Sequence, residues 1–305
     1  MHRLAVTLTL LALVSLPIAA ANDAAVDVYD AVEHHSVDND GVDIHYVTLG
    51  DGPTVLFVHG FPDFWYTWRH QMAELSGDFK TVAMDTRANN KSGKPEGVEN
   101  YAMALLLSDV EAVIDDLGEE DVVLVGHDWG GAIAWHFVLT MPQMADKLII
   151  VNMPHPKGIA RELAHNAEQR ANSQYARRFQ KPDSHLLLNA KMLAGFVAKD
   201  DQTRAKYIEA FENSSLDGMM NYYRQNYPRE PYEESTAKLP SVSVPVLQFH
   251  GLKDTALHHH GLNNTWEWVD SDYTLVTIPN ANHWAHHDAA ELVTDTMKWW
   301  LKMRR

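Results

Sequence analysis

The chain has 305 residues, 46% of them hydrophobic and 22% charged, enough apolar material for one large core without staples. It has no cysteine, which excludes disulfides, thiol catalysis and cysteine-based metal sites. Its formal net charge of -16 repels nucleic acid and anionic lipid, so neither is expected as a partner. In chain order, the positive start at Arg3, the apolar run Leu4–Ile18 and the small residues Ala19–Ala21 read as a signal peptide over residues 1–21. The mature protein is therefore expected to be periplasmic or secreted, with no membrane span after cleavage. Strand-like runs follow at Val42–Leu49, Thr54–His59, Lys80–Met84, Val122–Val125, Leu148–Asn152, Val246–His250 and Tyr273–Ile278. Helical patterns at Thr67–Leu75, Tyr101–Leu117, Gly131–Leu139 and Ala289–Lys302 alternate with them, which predicts a mostly parallel sheet with helices on both faces. Between about Pro156 and Leu239 strand-like runs stop and helix formers dominate, with prolines at 154, 156, 240 and 245 bracketing the stretch. The reading is a sheet domain over 22–155 and 240–305 with a helical cap at 156–239, closing a cleft over the sheet's C-terminal edge.

The stretch Gly126-His127-Asp128-Trp129-Gly130-Gly131 joins a buried strand to a helix. Glycines two before and two after Asp128 are what a tight strand-to-helix turn needs, because side chains there would collide. Such a turn lifts one side chain over the sheet edge and aims backbone N–H groups at it. These residues resemble the α/β-hydrolase superfamily, and within it the epoxide hydrolase and haloalkane dehalogenase branch, whose nucleophile is aspartate. The resemblance implies an α/β-hydrolase fold with an eight-stranded, mostly parallel sheet and an inserted cap. In this superfamily nucleophile, acid and histidine come in that order. Asp128, Asp254 and His283 do so, each just past a strand end, and nominate a catalytic triad. At the strand end where some relatives carry the acid stands Asn152.

By the same resemblance the loop His59-Gly60-Phe61-Pro62 supplies one oxyanion donor, the Phe61 N–H, and Trp129 the other. His59 itself reads as shaping that loop. A carboxylate is ionised without a base, and its target is a saturated carbon bearing a leaving group. Histidine-activated water then hydrolyses the resulting ester. Epoxide hydrolases use two cap tyrosines on the leaving oxygen. Asn221-Tyr222-Tyr223-Arg224 resembles one of their motifs and nominates Tyr223; Tyr175-Ala176-Arg177-Arg178-Phe179-Gln180-Lys181-Pro182 resembles the other and nominates Tyr175. Dehalogenases commonly place Asn after His-Gly, where this chain has Phe61. The expectation is an epoxide hydrolase acting on a small apolar substrate, with haloalkane dehalogenase and a non-catalytic binding protein of the same fold as alternatives. No cofactor is implied. No metal is expected either: His283 and His287 lack a third ligand, and His258–His260 read as a solvated turn. A homodimer is left open. Three departures from the family pattern, Ala88 after Arg87, Asn282 before His283 and Ala290 at a helix start, bear on loop geometry.

Overall fold

The computed structural model describes residues 27–234 and 238–304; the segment read as a signal peptide lies outside them. Eight strands form one sheet: β1 (Glu33–Asn39), β2 (Val42–Leu49), β3 (Thr54–Val58), β4 (Lys80–Met84), β5 (Val122–His127), β6 (Ala145–Val151), β7 (Val246–Gly251) and β8 (Tyr273–Ile278). Their order is β1-β2-β4-β3-β5-β6-β7-β8. The β1–β2 and β2–β4 pairs are antiparallel and every other pair is parallel, which makes this the α/β-hydrolase architecture expected.

The helices are α1 (Val28–Ala31), α2 (Arg69–Leu75), α3 (Met103–Leu117), α4 (Trp129–Thr140), α5 (Pro156–His165), α6 (Ala167–Asn172), α7 (Gln174–Phe179), α8 (Ala190–Val197), α9 (Asp201–Glu212), α10 (Leu216–Asn226), α11 (Ala285–Asp288) and α12 (Ala290–Lys302). Alternate strand residues point to opposite faces. Val55 and Phe57 accordingly join Met72 of α2 and Trp300 of α12 in one core cluster. Leu56 and Val58 join Val110 of α3 and Phe137 of α4 in the other. Helices α5 to α10 lie between β6 and β7 in the chain, and they feed both clusters, Tyr207 and Phe211 on one side, Tyr222 and Tyr223 on the other. The described residues contain no helix long and apolar enough to cross a membrane.

Strand β1 is not visible in the sequence. Its residues, Glu-His-His-Ser-Val-Asp-Asn, are mostly polar and exposed because it is the outer strand, so they carry no apolar alternation. At the family departures, Ala88 holds φ 74, a left-handed conformation that glycine adopts without the Cβ clash, and it is fully buried. Asn282 compensates for its missing glycine with bonds: its side chain accepts the Trp284 N–H at 2.9 Å, and its own N–H donates to Asp288 at 2.9 Å.

Candidate active site

The site sits where the parallel strands end. Loops following β3, β5, β6, β7 and β8 emerge on one sheet edge, and they carry Phe61, Asp128, Asn152, Asp254 and His283 respectively. At the end of β5 the chain turns sharply: Asp128 adopts φ 51 and ψ -121, and its carbonyl accepts the first α4 bond from Ala132 at 2.9 Å. Space dictates the flanking glycines. A Cβ on Gly126 would lie 2.3 Å from the Gly130 carbonyl oxygen, and one on Gly130 would lie 2.1 Å from that of Val58. Gly60 is constrained in turn by Asp128, whose Cβ would be 2.4 Å from an added methyl.

This turn delivers the Asp128 carboxylate, buried, into a ring of donors. Its Oδ1 accepts the Phe61 N–H at 2.7 Å. Its Oδ2 lies 3.4 Å from His283 Nε2. On the other side of the imidazole, Nδ1 is 2.9 Å from Asp254 Oδ2. The three residues nominated from chain order thus form a continuous line from carboxylate to imidazole to carboxylate. Trp129, the second donor nominated, is the first residue of α4 and borders the same carboxylate. His59 is fully buried, with Nδ1 on the Gly60 carbonyl at 2.9 Å and Nε2 accepting the Thr86 N–H at 3.0 Å; both nitrogens are spent on the loop.

The electrostatics follow from this line. Burial alone would drive the His283 proton off, but the charge of Asp254 and the hydrogen bonds to both aspartates outweigh it and push the imidazole up to about 10. Burial likewise raises Asp128 and Asp254, yet the facing imidazolium holds both below the usual carboxylate range. At neutral pH the resting site is therefore carboxylate, imidazolium, carboxylate. The raised histidine stabilises the fold below its unfolded value of 6.5, and that contribution fades as pH climbs through about 10.

Above Asp128 lies a cavity of about 440 Å³ whose wall is largely apolar, with Met153, Ile159, Leu163 and Leu257 among its residues. Tyr223 on α10 and Tyr175 on α7 both line it, so the two tyrosines named by separate cap motifs converge over one carboxylate. Tyr223 is 2% exposed, its ring edge-on to Phe61 at 5.6 Å, Trp129 at 5.1 Å and Tyr175 at 5.9 Å. Burial first, and then nearby anionic or phenolic groups, raise both hydroxyls well above 10, so each keeps its proton to donate. Tyr222, next in sequence, does not share this environment: its hydroxyl donates to the Arg87 carbonyl at 2.9 Å.

Several supporting roles are not apparent from the sequence. Asn152 stands where some relatives have the acid, and here it donates to Asp254 Oδ2 at 2.8 Å and to the Asn282 carbonyl at 3.2 Å. Its φ of 46 is the only trace in backbone terms, asparagine tolerating the left-handed region better than most residues. His127, fully buried, contacts the His283 carbonyl through Nε2 at 2.9 Å. Asp63 binds the Tyr207 hydroxyl of α9 at 2.7 Å, Thr67 at 2.9 Å and the Trp284 indole N–H at 3.1 Å. One side chain thereby ties α9 to the loops after β3 and β8. Two histidines close to His283 in sequence are engaged as well: His286 and His287 both face Thr67, and His287 Nε2 is 2.9 Å from its carbonyl.

Known proteins resemble this chain in sequence and fold. The α/β hydrolase fold family matches residues 53–290. Epoxide hydrolase 3 of Xenopus tropicalis is 32% identical over 281 residues, covering 86% of this chain and 75% of its own length. A crystal structure of an epoxide hydrolase variant from Bacillus megaterium superposes with a TM-score of 0.83 at 33% identity, covering 88% of this chain and all of that one. A second variant of that enzyme, TM-score 0.79 and 33% identical over the same share of both chains, is complexed with its product (R)-3-[1]naphthyloxy-propane-1,2-diol.

Proposed function

This chain belongs to the α/β hydrolase fold family and, within it, to the epoxide hydrolases, and from that premise we propose that it opens a small apolar epoxide to a vicinal diol through an ester on Asp128. The observation that carries this reading is the convergence of Tyr175 and Tyr223 on the cavity that holds Asp128. A halide would need no proton; an epoxide oxygen, which leaves as an alkoxide still tethered to carbon, does.

In the first step the Oδ2 of Asp128, the oxygen not held by Phe61, attacks a ring carbon. The C–O bond of the ring breaks, and a proton from a tyrosine hydroxyl arrives on the departing oxygen, leaving a hydroxyalkyl ester. In the second step His283 takes a proton from water, whose oxygen adds to the Asp128 carboxyl carbon. Negative charge then develops on Oδ1, where the Phe61 N–H already points, with the Trp129 N–H as the second donor. On collapse His283 returns its proton to the departing ester oxygen, releasing the diol with one former Asp128 oxygen; the second water proton restores the tyrosine, and the water oxygen stays on the aspartate. Water and these side chains balance the reaction without a cofactor. Supplied with a naphthyl glycidyl ether, the protein is expected to form diol; halide release from bromoalkanes without diol formation would favour the dehalogenase reading.

A proton-bound imidazole cannot act as a base, so the resting state poses a problem that the first step itself solves. Esterification of Asp128 removes one of the two anions that hold the proton, while burial, which expels it, is unchanged. The His283 pKa therefore falls from about 10 once the ester forms. Deesterification gains from rising pH, while alkylation needs only ionised Asp128, which sits below the usual carboxylate range. The expected profile is a kcat that climbs with pH on one limb while kcat/KM stays flat across neutrality. An identical limb in both parameters would contradict this division of labour.

We also place the enzyme outside the cytoplasm, in the periplasm or the medium, on the leader-like character of residues 1–21. N-terminal sequencing of the protein recovered from that compartment should begin near Asn22; an intact Met1 would contradict it.

A further inference from the structure

The loop that carries Asp254 runs on into three consecutive histidines, and we propose that His258, His259 and His260, with Glu168 of the cap, form a binding site for a divalent transition-metal ion such as Zn²⁺. One ring nitrogen from each histidine can be chosen so that all three lie within 4.8 Å of one another. The ring centroids are 4.3 to 4.7 Å apart. His259 and His260 are exposed, as a solvated turn requires, but His258 departs from that expectation at only 7% exposed.

The turn is held before any ion arrives. The His258 N–H donates to Gln169 Oε1 of α6 at 2.7 Å, and Arg161 of α5 donates to the carbonyls of His260 at 2.8 Å and Asn263 at 3.0 Å. His258 Nδ1 accepts the His260 N–H at 3.2 Å, which fixes the ring and turns Nε2 toward Glu168 Oε2, 3.3 Å away. Glu162 is unavailable, spent on Arg161 at 3.0 Å and Asn166 at 2.8 Å. Glu168 is the carboxylate left over, its side chain 69% exposed beside an open groove of about 470 Å³ that also carries His165 and Glu234. Converging imidazoles plus one carboxylate suit Zn²⁺, Ni²⁺ or Cu²⁺ rather than Mg²⁺ or Ca²⁺, which take oxygen ligands. Glu168 belongs to the cap and the histidines to the loop after β7, so a bound ion would clamp one to the other, away from the reacting atoms.

The test uses untagged, chelator-treated protein titrated with Zn²⁺ by calorimetry and with Co²⁺ by visible absorption. One equivalent of Zn²⁺ should bind, Co²⁺ should give tetrahedral absorption bands, and Zn²⁺ should raise the melting temperature. The double variant His259→Gln/His260→Gln alters exposed side chains outside the catalytic machinery. It should keep epoxide turnover in chelator while losing Zn²⁺ affinity by more than about 100-fold, and Glu168→Gln should lose at least about 10-fold, since losing a ligand costs no less than losing a group that only orients one. Absence of Zn²⁺ binding in the wild-type protein would overturn the proposal. So would equal binding by the double variant, since it would place the ion elsewhere, for instance at the buried group of Asp63, His127 and His286.

Discussion

Replacing His283 by glutamine is expected to stop the enzyme after a single chemical step, with the substrate left bonded to Asp128. The nucleophile needs no base: Asp128 is ionised at neutral pH, and Phe61 continues to hold one of its oxygens when the imidazole is gone. Ester formation therefore survives, slowed by the loss of the cation that faced the carboxylate. Hydrolysis of the ester does not survive, because glutamine cannot take a proton from water. Removing a general base typically lowers turnover by about 10²–10⁴-fold, and the upper part of that range is expected here because no other described base is placed at the ester. Intact-mass measurement should show the protein heavier by one whole substrate, with the adduct on the Asp128 peptide. A dead variant without adduct would mean that His283 acts before or during the first bond formation.

Replacing Tyr223 by phenylalanine is expected to strike the opposite half-reaction. The ring stays in its packing against Phe61, Trp129 and Tyr175, but one of the two hydroxyls over the departing oxygen is lost and Tyr175 alone is left to donate. A departing oxygen with one of its two donors gone has no compensating solvent in a mostly apolar cavity, so kcat/KM should fall by about 10²-fold, the lower end of the scale of a lost general acid. No ester should accumulate, which separates this variant from the histidine one. The same change at Tyr222 is the internal control. Its hydroxyl serves the Arg87 carbonyl, so it should lower stability by about 1 kcal/mol and leave the chemistry intact. Equal activity loss in both variants would indicate that the cap tyrosines act through packing.

Much of the core was legible because its signals are local. Each interior strand from β3 to β7 is an apolar run, since both faces of a sandwiched parallel strand are buried. The turn at Asp128 announces itself through glycines that nothing larger could replace. The edge strand β1 left no such mark, its outward position permitting polar residues throughout. The cap was legible only as helical. Which of its tyrosines reach the cavity depends on long-range packing, and periodicity does not separate Tyr223 from Tyr222, both buried on α10. The supporting groups were hidden for the same reason. Asn152 and Asp254 are 102 positions apart, and Asp63 meets Tyr207 across 144. Family motifs brought the tyrosines to notice; residue type alone said nothing of Asn152 or Asp63.

The central claim is that an oxygen of Asp128, and not one of water, first bonds to the substrate carbon. A single turnover in heavy-oxygen water, with enzyme in excess over a naphthyl glycidyl ether, tests it directly. The two-step route predicts that the diol leaves unlabelled and that one heavy oxygen is found on the Asp128 peptide. Direct attack of water on the ring would give the reverse, labelled diol and unlabelled Asp128, and would contradict the account.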